Sequence, residues 1–113
     1  MAIPRDEDIQ ISLLHLLAND PTGTIQCEDI YHRLASEFPA LTWKELVIPY
    51  RASRSHWANR VQWARWHLVE KGWLVHPSRS GRGIWAISPP GREYIASMKT
   101  LADQLLKELE GLV

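Results

Sequence analysis

The sequence predicts an α+β fold that is mainly α-helical. Three stretches, at the beginning, middle and end of the 113-residue chain, repeat apolar residues at the three-or-four spacing of amphipathic helices. Two short runs, WLVH at 73–76 and IWAIS at 84–88, have the composition of strands. At this length we expect one domain over residues 1–92, with a C-terminal helical segment over residues 93–113.

The first part of the chain is expected to form two helices with a short strand between them. Asp6, Glu7 and Asp8 suit the N-terminus of the first helix, which NDPTG at 19–23 ends. TIQ at 24–26 is a candidate strand, and a second helix spans about 28–37 before Pro39. The apolar stripe of the first helix consists of Ile9, Leu13, Leu16 and Leu17. That of the second helix consists of Ile30, Leu34 and Phe38.

A short extra helix is predicted ahead of the central one. Thr42 and Glu45 have the spacing of a capping box, which predicts a helix at 42–47 that Pro49 closes. The central helix is predicted over 55–71, with Ser53 or Ser55 as its N-cap and Gly72 as the left-handed residue that ends it.

The central helix contains three tryptophans that cannot all share one face. Trp57, Val61, Ala64 and Leu68 form a core stripe, whereas Trp63 and Trp66 point to the opposite side with Asn59, Gln62 and Glu70. Two arrangements are possible for Trp63 and Trp66. In the first, segment 39–53 or the C-terminal helix covers them, with Trp43, Val47 and Tyr50 as partners. In the second, at least one of the two tryptophans contacts nucleic acid. Because tryptophan is usually mostly buried, we expect the first arrangement for both.

The order of elements indicates a winged helix-turn-helix. WLVH and IWAIS, joined by PSRSGRG, predict a β-hairpin with an arginine-bearing tip, and this hairpin directly follows the third main helix. In the winged helix-turn-helix that helix lies in the DNA major groove, and the hairpin is the wing, whose tip here is 78–83.

The distribution of charge favours a polyanion as the partner. The chain is neutral, but residues 1–50 sum to −5, residues 51–92 to +7 and residues 93–113 to −2. Seven of the eight basic residues in 51–92 are arginine, which binds phosphate and guanine bidentately. A solvated basic face is the simpler alternative. The residues expected to contact double-stranded DNA are Arg51, Ser53, Arg54, Ser55, His56, Asn59, Arg60, Gln62, Trp63, Arg79, Ser80 and Arg82.

Other chemistry has little support in the sequence. The five histidines lack zinc-ligand spacing, Cys27 has no base beside it in sequence, and no phosphate-binding glycine loop is present. We therefore expect a binding protein without catalytic residues, cofactor or metal. A single cysteine, the absence of a signal peptide and the absence of a long apolar run lead us to expect a cytoplasmic location.

The C-terminal helix has a heptad-like apolar seam. It consists of Ile95, Met98, Ala102, Leu105, Leu109 and Leu112. We expect this seam to pack on the first helix of the same chain, with a homodimer as the next alternative and a link to another domain as a third.

A family resemblance is carried by three stretches: IPRDEDIQISLLHLLA at the start, VQWARWHLVEKGWLVHPSRSGRGIWAIS in the middle and PPGREYI after the predicted wing. Through them the chain resembles the Mrr-type N-terminal domain, a winged helix at the front of modification-dependent restriction proteins. The family pattern places a W-A-R helix at Trp63, Ala64 and Arg65, which fits a structural role for that tryptophan. The family pattern ends in the motif G-x-W-x-[IL]-[ST]-x-x-G, which this chain matches from Gly83 to Gly91.

The resemblance implies a DNA-binding specificity module that delivers a nuclease domain, with methylated DNA as a candidate target. As a sharper hypothesis, Asn59 or Gln62 beside an aromatic residue reads an adenine, N6-methylated or not; 5-methylcytosine is the other modified base considered. Two alternatives remain open: a winged helix whose outer face docks a protein partner, and a small dimeric transcriptional regulator.

Overall fold

The computed structural model describes residues 3–50 and 55–112. This part of the chain is mainly helical with a small two-stranded antiparallel sheet, which confirms the predicted fold class at that level. The elements are α1 (Asp6–Asn19), β1 (Thr24–Gln26), α2 (Cys27–Ala35), α3 (Trp43–Val47), α4 (His56–Glu70), α5 (Pro77–Ser80), β2 (Ile84–Ala86) and α6 (Pro89–Gly111).

The core forms where α4 packs against α1 and α2. The predicted stripe of Trp57, Val61, Ala64 and Leu68 is buried, which confirms the helical periodicity as a guide to the core. Facing it are Ile9, Leu13, Leu14 and Leu17 of α1 and Ile30 and Leu34 of α2. The indole Nε1–H of Trp57 donates to the backbone oxygen of Tyr31 at 2.9 Å, so the buried ring keeps its polar atom satisfied.

A polar cluster fastens α1 to the flank of α4. The carboxylate of Asp6 lies 2.9 Å from Nδ1 of His67 and also accepts from the side chain of Gln10. The Gln10 oxygen in turn accepts from Nζ of Lys71 at 2.8 Å. These contacts fix the rotation of α4 about its own axis relative to α1. Packing of the apolar stripe of α4 alone would allow a small rotation.

Local signals set both ends of α4 as the sequence predicts. The Ser55 hydroxyl accepts from the Ala58 backbone N–H at 3.0 Å, so Ser55 is the N-cap. At the other end Gly72 has φ of +80°. Its N–H reaches the Val69 oxygen at 2.9 Å, and the Trp73 N–H reaches the Leu68 oxygen at 3.0 Å, as in a Schellman motif.

The short extra helix is also present, at Trp43–Val47. The Glu45 carboxylate accepts from the Thr42 backbone N–H at 3.0 Å and from the Thr42 hydroxyl at 2.6 Å. These hydrogen bonds, the hydroxyl's first, hold the pKa of Glu45 below its ordinary value. The capping-box prediction is thus confirmed.

The sheet differs from the predicted hairpin. Strand β2 pairs with β1, with Ile25 opposite Trp85. The predicted partner of β2, 73–76, contributes an isolated antiparallel bridge between Leu74 and Ile87, beside a bond from the Val75 N–H to the Ala86 oxygen at 2.9 Å. The connection that follows contains a turn of helix, since Pro77–Ser80 forms α5. The physical reason is that Pro77 is favourable at the first position of a helix and cannot donate to a strand ladder.

Helix α6 begins against the backbone that follows α4. The Ser88 hydroxyl donates to the Gly72 oxygen at 2.6 Å and accepts from the Gly91 N–H at 3.2 Å. A Cβ atom on Gly91 would lie 2.1 Å from the Trp73 carbonyl oxygen. Only glycine permits this approach, which explains the Ser-x-x-Gly spacing in the sequence.

Most of α6 extends away from the rest of the protein. Ile95 is buried, but every residue from 96 to 112 is exposed, including Met98, Leu105 and Leu109 of the apolar seam. The expectation that the seam packs on the first helix is therefore wrong beyond Ile95. The direction that Gly91 and Ser88 impose on the start of the helix carries its later turns clear of α1.

We expect Gly91→Ala to destabilise the fold by about 1–3 kcal/mol or more, because its methyl group overlaps the rigid Trp73 carbonyl. Gly111→Ala in the same helix is the matched control, since nothing lies within 4 Å of a Cβ there. Its effect should stay within about 0.5 kcal/mol. Urea unfolding followed by circular dichroism measures both, and equal stability of the two variants would contradict this packing.

Candidate nucleic-acid interface

The outer face of α4, which we define as Gln62, Trp63 and Trp66, is exposed. Trp63 is 52% exposed and Trp66 is 42% exposed. The expectation that other segments cover both tryptophans is therefore wrong. Helix α3 lies beside the N-terminal end of α4 instead, with its own Trp43 and Val47 exposed, and α6 departs in another direction.

The residues at the start of α4 have several different surroundings. Ser55 is buried and occupied as the N-cap, and the His56 ring stacks on Tyr50 with centroids 4.2 Å apart. Asn59 and Arg60 are half-buried, and the buried Nε atom of Arg60 has no hydrogen-bond partner among the described residues. Exposure thus increases along the helix towards Gln62 rather than towards its N-terminus.

Three of the predicted contact residues, Arg51, Ser53 and Arg54, lie outside the described residues.

Gln62 is positioned by a neighbour that the sequence analysis did not identify. Its side-chain amide donates to the phenolic oxygen of Tyr31 on α2 at 2.9 Å. This contact restrains the Gln62 side chain while leaving the residue exposed. Nothing in the sequence pairs these residues, which are 31 positions apart.

The segment between α4 and β2 presents two arginines to solvent. Arg79 and Arg82 are exposed. Ser80, predicted as a third contact residue, has an internal bond instead, because its hydroxyl donates to the Ile84 oxygen at 2.7 Å. Arg79 and Arg82 are thus the exposed cations of this segment, and Ser80 shapes the turn between them.

Arg65 joins this segment to α4. Its guanidinium lies 4.6 Å from the centre of the Trp85 ring, and its Nη2 donates to the Ile84 oxygen at 3.2 Å and the Ser80 hydroxyl at 3.4 Å. Burial lowers the pKa of Arg65 below its ordinary value, yet an arginine stays protonated in the physiological range. Arg65, like Lys71, thus uses its charge within the fold, although both belong to the positively charged middle of the chain.

Charged and aromatic side chains therefore lie close together along one side of α4. Trp66 contacts His76 edge-on, with ring centroids 6.1 Å apart, which places the outer face next to the arginine-bearing segment. An amide, two indoles and the nearby exposed arginines can hydrogen-bond to base edges, stack on flat groups and neutralise phosphates.

The described residues contain no group of three or more His, Cys, Asp or Glu side chains that could hold a metal ion. Within the same residues, none of the helices combines the length and the apolar character needed to cross a bilayer. Cys27 is a half-buried free thiol.

Comparison with known proteins supports the resemblance noted in the sequence. The family model described as the Mrr N-terminal domain matches residues 7–97, which include every element from α1 to the first turns of α6. No curated protein and no solved structure matches the chain.

We expect the three tryptophans of α4 to differ sharply in their effect on stability. Trp57→Ala should cost about 3–5 kcal/mol, because it removes a fully buried ring from the core. Trp63→Ala and Trp66→Ala should each cost about 1–2 kcal/mol, since about half of each residue is exposed to solvent. Chemical unfolding of the three variants measures this, and a loss at Trp63 or Trp66 similar to that at Trp57 would contradict the exposure of that ring.

Proposed function

Because the chain belongs to the Mrr N-terminal domain family, we propose that it is a winged-helix DNA-binding module of a restriction-type system. In this proposal α4 lies in the major groove, and the wing, residues 78–83, contacts the DNA backbone or minor groove. The observation that carries the proposal is the exposed outer face of α4, an amide and two tryptophans, beside two exposed arginines.

The arrangement of α1, α2 and α4 around one core supports the winged-helix assignment. Helix α4 is the third main helix, and the chain after it turns at Gly72, bridges Leu74 to Ile87 and forms β2 against β1. This small sheet holds segment 77–83 at the side of α4, where a wing lies in such folds.

Within the outer face, Gln62 is the residue we propose for reading a base edge. A glutamine amide pairs bidentately with adenine, and the contact with Tyr31 orients its side chain in advance. Trp63 adds an apolar surface that suits a methyl group, whether on thymine, on 5-methylcytosine or on N6-methyladenine. Asn59, half-buried, is the second candidate for an adenine contact.

The proposal assigns binding and not catalysis to this chain, so a nuclease domain or subunit would cut the DNA. A restriction role would place the protein in the cytoplasm with its substrate. The alternative is a protein-docking winged helix whose partner covers Trp63 and Trp66; the exposed area of these two indoles is the observation that favours it.

Fluorescence anisotropy with short duplexes across a salt series tests the proposal. We expect affinity to fall steeply with salt, because bound arginines release counterions from phosphates. Arg79→Gln and Arg82→Gln should each reduce the slope of log K against log salt by about 1. Lys107→Gln, on the far part of α6, is the matched control and should leave the slope unchanged.

The same assay compares unmodified duplexes with ones containing N6-methyladenine or 5-methylcytosine. A modification reader should prefer one modified duplex by about fivefold or more, the value of one good base contact. Equal affinities would reduce the proposal to DNA binding without modification reading. Absence of binding at low salt would overturn it and favour the protein-docking alternative.

We further propose that α6 pairs with α6 of a second copy. Its exposed apolar residues, among them Met98, Leu101, Leu105, Leu106 and Leu109, form a broad stripe over several turns. Such a stripe is stabilised when another helix covers it. A two-fold dimer would present two copies of α4 to successive major grooves.

Sedimentation equilibrium tests the pairing. We expect the protein to associate as its concentration rises, and we expect Leu105→Ser with Leu109→Ser to remain monomeric at the same concentrations. Both side chains are exposed, so the double variant should keep the helical circular dichroism of the core. A wild-type protein that is monomeric throughout would contradict self-pairing and assign the stripe to another domain.

A further inference from the structure

A pocket of about 300 Å³ lies between α2, the outer face of α4 and the segment that precedes β2. Its lining includes Tyr31, Gln62, Arg65, Trp66 and Trp85. None of these residues except Gln62 is among the predicted contact residues. The pocket opens between α4 and the wing, the two elements that are proposed to contact DNA. A bound ligand would therefore contact both of them.

The walls of the pocket are aromatic and partly fixed. Trp85 is 2% exposed, and it is held by the Arg65 guanidinium at 4.6 Å and by the edge of Tyr31 at 5.8 Å. Trp66, by contrast, is 42% exposed. One wall is thus rigid, and the other offers an indole with free surface, an arrangement that suits a flat group entering between them.

The polar groups of the pocket narrow the class of ligand. Gln62 has an amide with one hydrogen bond, to Tyr31, and the buried Nε of Arg65 has no hydrogen-bond partner among the described residues. The residues that line the pocket include no carboxylate. Aromatic pockets that bind methylammonium groups attract a cation, whereas a guanidinium in this one repels it. The lining therefore disfavours a cationic ligand and suits a flat one with hydrogen-bonding edges.

We propose that this pocket binds a single nucleobase extruded from the duplex, an inference that rests on the proposed DNA binding. A volume of about 300 Å³ is at the lower limit of ligand pockets and suits one ring system rather than a larger ligand. The base stacks on Trp66, and the Gln62 amide hydrogen-bonds to its Watson–Crick edge. Gln62 then reads the base outside the helix instead of within the groove, and Asn59 is left as the candidate for a groove contact.

Mismatched duplexes provide the test, because a base that is not paired costs less to extrude. In fluorescence anisotropy at fixed salt, the wild-type protein should bind a duplex with one central mismatch about tenfold more tightly than the matched duplex of otherwise identical sequence. Trp66→Ala should reduce this preference to below about twofold, because stacking on the indole is lost.

Trp63→Ala is the matched control, since Trp63 lies on the same outer face, is similarly exposed, and does not line the pocket. Trp63→Ala should retain the tenfold preference for the mismatched duplex. Trp66→Phe should retain most of that preference, because it keeps an aromatic ring. Circular dichroism of each variant confirms that the fold is intact, and Trp66→Leu, which keeps an apolar side chain without an aromatic ring, replaces Trp66→Ala if that variant unfolds.

The outcomes separate this inference from the proposed function. No binding of any duplex at low salt overturns the proposed function itself. Salt-dependent binding without a mismatch preference overturns the pocket assignment and leaves DNA binding in place. A preference that Trp63→Ala and Trp66→Ala abolish equally also overturns it, since the effect would then belong to the whole outer face.

Discussion

The burial of one stripe of α4 is the constraint on which the rest of this structure depends. A helix of 15 residues that buries Trp57, Val61, Ala64 and Leu68 must turn Gln62, Trp63 and Trp66 away from the core, because side chains repeat every 3.6 residues. The bond from the Trp57 indole to the Tyr31 carbonyl then fixes α2 beside it. The direction of the outer face is therefore a consequence of the core.

The second determinant is the attachment of the arginine-bearing segment to α4. Arg65 lies over Trp85 and donates to the Ile84 oxygen, while Ser80 closes the turn on the same oxygen. Because β2 is also paired with β1, the segment is held from two directions. A surface held in this way loses little conformational entropy on binding, which is the advantage of preorganisation. Arg65 thus contributes its charge to the fold, whereas Arg79 and Arg82 are exposed.

Features encoded within a few residues were predictable. The core stripe of α4, the capping box of Thr42 and Glu45, and the left-handed residue Gly72 depend on neighbours along the chain, and all three are present as predicted. The candidate site was predicted less completely. Gln62 and Trp63 were identified from the helical wheel, but Tyr31, Arg65 and Trp85 were not, because their proximity to Gln62 or to each other arises from packing between distant segments.

The sequence by itself determined where the main helices lie, how α4 begins and ends, and which side of α4 is apolar, since hydrogen bonds and side-chain periodicity within a helix are local. Only the tertiary structure decided that β2 pairs with β1, that Trp63 and Trp66 stay uncovered, and that α6 leaves the core after Ile95. Each of these depends on the direction in which one element leaves another. For α6, the close contact between Gly91 and the Trp73 carbonyl sets this direction, and the spacing of apolar residues along the chain does not specify it.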